Sequence, residues 1–126
     1  MHKSRLGGFI IDCQTKDLPA AAAFWSGALG METRPLPKPE GGKYVKLMDP
    51  GERLHIELQS VSHASRVHLD IESDDVDAEV RRLEALGARR IVQVHTWWVM
   101  EAPTGQRFCV VRAAGNGFAQ TARQWT

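Results

Sequence analysis

At 126 residues the chain is long enough to bury one hydrophobic core and too short for two independent ones. Its apolar fraction of 43% and charged fraction of 25% are ordinary for a globular protein, and a net charge of +1 gives no electrostatic footprint for nucleic acid or an anionic membrane. The two cysteines, Cys13 and Cys109, lie far apart without paired-ligand spacing, which argues against a disulfide framework and a structural zinc site. No stretch approaches the ~20 apolar residues of a membrane span, and Gly7 and Gly8 stand where a signal peptide would carry its apolar run. These features lead to the expectation of a cytoplasmic protein whose partner is a small molecule or another protein chain.

In chain order, Gly8 to Gln14 is rich in β-formers and reads as the first strand. Asp17-Leu18-Pro19 has the chemistry of a helix start, with a capping carboxylate and a proline in the first turn, and Gly30 that of a helix end. Three prolines and two glycines between Arg34 and Gly42 predict a loop. Lys43 to Met48 and Arg53 to Gln59 read as strands around the turn Asp49-Pro50-Gly51-Glu52. In the second of them Leu54, Ile56 and Leu58 share one face, and His55, Glu57 and Gln59 the other.

The stretch Ser65 to Glu72 repeats that two-faced pattern, with Val67, Leu69 and Ile71 opposite His68, Asp70 and Glu72. Asp74-Asp75 then caps a helix from Val76 to Leu86, whose apolar residues Val76, Val80, Leu83 and Leu86 fall on helical spacing before Gly87. Ala88 to His95, Thr96 to Glu101 and Arg107 to Arg112 read as strands, with a turn at Ala102-Pro103-Thr104-Gly105. The segment 113–126 reads as a loosely held tail in which Phe118 and Trp125 are candidate anchors.

The order strand, helix, three strands therefore occurs twice. Phe9 to Cys13 lies over Val67 to Ile71, and Asp17, Leu29 and Gly30 lie over Asp74, Leu86 and Gly87. On these segments, and on Pro103-Thr104-Gly105 leading into Phe108-Cys109-Val110, the chain resembles the glyoxalase/bleomycin-resistance/dioxygenase group, the vicinal oxygen chelate superfamily. The resemblance implies an α+β fold of two βαβββ modules whose curved mixed sheets form a half-barrel cup. It places one glyoxalase-like domain at 6–112, with module one at 6–60, module two at 65–112 and a tail at 113–126. It also implies that the polar strand faces line the cup while helices cover the apolar ones.

Metal-dependent members of that group draw four ligands from the first and last strands of the two modules. Carried over by position, these slots fall on Ile10, near Glu57 with His55 as the neighbouring choice, on His68 and on Cys109. Ile10 has no lone pair to give, so a hard divalent ion lacks its donors; the expectation is no cofactor and no metal site. A zinc ion held by Glu57, His68 and Cys109 is the metal alternative, since thiolate suits zinc.

His68 and Glu57 are then the catalytic candidates, because an imidazole and a carboxylate together supply a proton donor and acceptor. Gln59 and Asp70 are candidates for orienting a ligand, Trp97 and Trp98 for an aromatic wall, and His55 and Cys109 for further contacts. Adjacent residues on a strand point oppositely, so one tryptophan packs into the core and the other faces the cup. The leading expectation is a glyoxalase-like lyase or isomerase that needs no metal and acts on a small organic ligand. The alternatives are a non-catalytic drug- or metabolite-sequestering protein of the bleomycin-resistance type and a metal-dependent glyoxalase or dioxygenase. A homodimer is compatible with all three.

Overall fold

Residues 1–37, 42–114 and 117–126 are described in the computed structural model of the chain. They form two units, Phe9–Val67 and Met1–Gly8 with His68–Thr126, and the strand β1 (His2–Gln14) contributes to both.

In the unit Phe9–Val67, the helix α1 (Leu18–Leu29) starts where Asp17 accepts a hydrogen bond from the Ala20 backbone N–H at 3.1 Å. Gly30 ends it in the left-handed conformation, at φ 68°, and donates to the Ser26 carbonyl at 2.9 Å. Three strands follow, β2 (Thr33–Pro35), β3 (Tyr44–Leu47) and β4 (His55–Val61), paired antiparallel in that order. Ile11, Leu18, Ala22, Leu47, Ile56 and Leu58 make the core between helix and sheet, with Phe9 and Trp25 packed against it. Thus Ile56 and Leu58 occupy the buried face that their spacing predicts.

The proline-rich segment differs from its expected loop. Arg34 and Pro35 belong to β2, which lies at the edge of the strand order, where a missing proline N–H removes no ladder bond on the open side. Lys38, Pro39, Glu40 and Gly41 lie outside the described residues.

The second unit repeats the plan. The strand β5 (Arg66–Ser73) leads into α2 (Val76–Ala85), capped by Asp75, whose side chain accepts from the Ala78 N–H at 3.0 Å. The strands β6 (Arg89–Val94), β7 (Trp97–Glu101) and β8 (Arg107–Arg112) follow. β6 pairs antiparallel with β7, β7 antiparallel with β8, and β8 parallel with β5. Val80 and Leu83 of α2 bury against Met100 and Val110, with Ile71, Trp98 and Phe108 around them. In both modules the first strand lies beside the fourth, the fourth beside the third and the third beside the second. The fold is α+β and is built from two βαβββ modules, as the repeat in the sequence requires.

Two expectations change here. Val67 and Leu69 are 59% and 50% exposed, although Ile71 on the same face is packed in the core. The 10-residue helix α2 is about 15 Å long and the 8-residue β5 about 26 Å, so the helix covers only part of the strand.

The tail is also more ordered than its polarity suggests. It forms α3 (Phe118–Thr121) and β9 (Arg123–Trp125), and β9 pairs antiparallel with His2, Lys3 and Ser4 of β1. Trp125 is the anchor: its indole N–H donates to Ser4 Oγ at 2.8 Å, and the Arg82 guanidinium lies 3.8 Å from its ring centroid. Gly115 and Asn116 of the tail lie outside the described residues.

Candidate active site

The parallel pairing of β5 with β8 sets Asp70 opposite Cys109. His68 is two residues before Asp70 and therefore on the same face of β5, the face turned away from α2. The result is a cluster of imidazole, carboxylate and thiol in which the donor atoms of His68, Asp70 and Cys109 all lie within 4.8 Å of one another. His68 Nε2 is 3.7 Å from Asp70 Oδ1, and both side chains are only 13% exposed. Cys109 is buried. An imidazole held beside a carboxylate is positioned to carry a proton.

Strand pairing extends this face across the unit, with a register shift in β6 between Arg90 and Val92. Val99 on β7 is the partner of Cys109, and Val92 on β6 is the partner of Val99. Trp97 is two residues before Val99 and shares the face; Trp98 points oppositely into the core beside Met100 and Val110, with the Arg90 guanidinium 5.1 Å from its ring centroid. One tryptophan is thus a candidate wall for a ligand and the other a packing residue.

On the opposite side of Val99 from Trp97, Glu101 accepts from Arg89 at 2.9 Å and from Arg107 at 3.2 Å. The Arg89 hydrogen bond and the charges of Arg89 and Arg107 hold the Glu101 carboxyl below the usual carboxylate range. The sequence carried no local signal for this trio, because its members come from three strands and meet only through register.

The other candidates lie in the unit Phe9–Val67. On β4, His55, Glu57 and Gln59 share the face opposite Ile56 and Leu58, as alternation predicts. The His55 imidazole pairs with Glu57, and Gln59 donates to the Tyr44 hydroxyl at 2.9 Å. Lys46 is the cross-strand partner of Glu57. Ile10 is buried, and Asp12, also buried, has Arg66 Nε 3.6 Å from its carboxylate. Asp12 went unnoticed in the sequence because a lone carboxylate in an apolar strand has no motif around it. Glu57 and His68, the two catalytic candidates, fall in different units.

The donor set bears on a metal as well. Imidazole, carboxylate and thiolate are each zinc ligands, and three protein donors leave a coordination position for water or substrate. His68, Asp70 and Cys109 therefore fit a zinc ion by chemistry and proximity. Asp70 joins His68 and Cys109 in this group because β5 and β8 bring it level with Cys109.

Among known folds, a hypothetical protein from Bacillus halodurans matches with a TM-score of 0.65 at 11% identity, over 90% of this chain and 96% of its own. Methylmalonyl-CoA epimerase from Mycobacterium tuberculosis matches with a TM-score of 0.64 at 19% identity, over 90% and 91%. A Streptomyces coelicolor methylmalonyl-CoA epimerase in complex with 2-nitronate-propionyl-CoA follows with a TM-score of 0.59 at 17% identity, over 87% and 98%. At such identities the likeness shows a common fold. No curated protein matches by sequence. The model of the glyoxalase-like domain matches residues 8–111, and the chain belongs to this family.

Proposed function

We propose that the protein is a glyoxalase-like lyase or isomerase that moves a proton at a carbon next to a carbonyl group of a small organic ligand. The observation that carries this reading is the cluster of His68, Asp70 and Cys109, with His68 Nε2 3.7 Å from Asp70 Oδ1 on a largely buried strand face. In this reading His68 takes and returns the proton, and Asp70 holds the imidazole in place and stabilises it when charged. The methylmalonyl-CoA epimerases among the similar structures support this class, since an epimerase inverts a carbon centre.

Solvent-deuterium exchange tests the proposal. The protein is incubated in deuterium oxide, with a chelator, together with oxo acids and acyl thioesters, and deuterium next to the carbonyl is read by NMR. Exchange by the wild-type protein that drops at least about 100-fold in His68→Ala is the expected result. Exchange that His68→Ala leaves unchanged would sink the assignment. Binding without exchange would select the sequestering protein instead.

The same three donors favour a second reading, a zinc-dependent member of the family, with His68, Asp70 and Cys109 holding the ion. The ion would then act as a Lewis acid on the ligand's carbonyl oxygen. Elemental analysis of protein purified without chelators separates the two: one zinc per chain, lost in Cys109→Ser, supports the metal reading.

A further inference from the structure

The face that carries Cys109 has two features that proton transfer by His68 does not use. An apolar strip runs outward from the cluster through Val99 and Val92, with Trp97 along one side. Along its other side lie Arg89, Glu101 and Arg107, mutually in register on β6, β7 and β8. Two guanidiniums share one carboxylate there, through Arg89 Nη2 at 2.9 Å and Arg107 Nε at 3.2 Å, so the trio carries one surplus positive charge. Arg89 and Arg107 keep Glu101 ionised near neutral pH, so it neutralises one of the two guanidinium charges and the surplus stays at one.

From this we infer that the face recognises a small monocarboxylate with an apolar body. The carboxylate is held by Arg107, with Arg89 adding to the local field, and the body lies along Val99 and Val92 against Trp97. One surplus charge suits a monoanion, and a guanidinium donates in a planar fork that matches a carboxylate. Arg107 is two residues from Cys109 on β8, about 6.7 Å along the strand, so a carboxylate on Arg107 leaves the reacting carbon only a few bonds away. His68 stands one residue before Leu69, the partner of Phe108, and Arg107 one residue before Phe108, so the two lie level on adjacent strands. The substrate class is then a short oxo acid, or a related carbonyl compound, with an apolar side chain. This inference deepens the proton-transfer reading and rests on it for the position of the reacting carbon, whereas its test reads binding alone.

The test is an NMR titration of the full chain with hexanoate and with its neutral counterpart, hexanamide. Wild-type protein is expected to bind hexanoate about tenfold more tightly than hexanamide, with the preference shrinking as salt is added. Arg107→Gln should remove that preference, and Arg107→Lys should restore part of it. Val99→Thr should weaken both ligands, because a hydroxyl there must lose its water on binding. Deuterium exchange by the wild-type protein is the separating readout, because it reports the proton-transfer reading while the hexanoate preference reports binding alone. Undetectable hexanoate binding, equal affinity for the two ligands, or an unchanged preference in a folded Arg107→Gln protein would overturn the inference. A hexanoate preference lost in Arg107→Gln, with no exchange by the wild-type protein, would uphold it while removing the proton-transfer reading.

Discussion

At the scale of single residues, the contrast between Glu79 and Glu101 shows how position decides what a charge does. Glu79 of α2 is fully buried, and it is tied to His2 at 2.7 Å and to Arg82 by two hydrogen bonds of 2.8 and 2.7 Å. Burial pushes its carboxyl up, but the hydrogen bonds from Arg82, His2 and Ser4 together hold it below the usual range. A carboxyl lowered by folding contributes stability above its unfolded pKa, and that contribution disappears as the pH falls through the folded value. Urea denaturation across the acid range should therefore show a loss of stability in the wild-type protein that Glu79→Gln lacks. At neutral pH, Glu79→Ala should cost about 3 kcal/mol, because it strands Arg82 and His2 beside a buried void. Glu101 is reached by solvent, and its replacement by Gln should alter ligand preference far more than stability.

At the scale of elements, capping chemistry and alternation were the most legible parts of the sequence. Asp17, Gly30, Asp75 and Gly87 mark helix ends because their side chains or backbone freedom act locally, without help from the rest of the chain. Gly87, at φ 109°, is the strictest of these: a Cβ there would meet Pro103 Cγ at 3.2 Å. Gly87→Ala should therefore cost at least about 1 kcal/mol, measurable as a lower denaturation midpoint with an unchanged slope.

The ends of the chain were much less legible. The three residues Arg123 to Trp125 make a strand only because His2 to Ser4 offer a ladder, and no pattern within either segment announces the other. Trp125→Ala removes the hydrogen bond to Ser4 and the contact with Arg82, and should cost about 2 kcal/mol by the same assay. The exposure of Val67 and Leu69 was hidden for a related reason, since strand parity tells which face a residue takes but not how far a helix reaches along it.

For the whole molecule, the doubled order of elements carried the fold. Two copies of one strand-helix-strand-strand-strand sequence, each paired first to fourth to third to second, are what the repeat of Phe9 to Gly30 in Val67 to Gly87 encodes. The candidate site was legible in part. His68, Asp70 and Cys109 could each be chosen by residue type and position, but their proximity depends on the parallel register of β5 with β8, which no local pattern specifies. The Arg89, Glu101 and Arg107 trio depends on register alone.

The proposed function places ligand binding on the face of β5, β8 and β7 that bears His68, Asp70 and Cys109. Amide chemical-shift mapping during a hexanoate titration measures this most directly. The largest changes are expected at residues 68–70, 97–99 and 107–111. Largest changes along α1 instead, or in the groove lined by Asp75, Val76, His95 and Phe118, would contradict it.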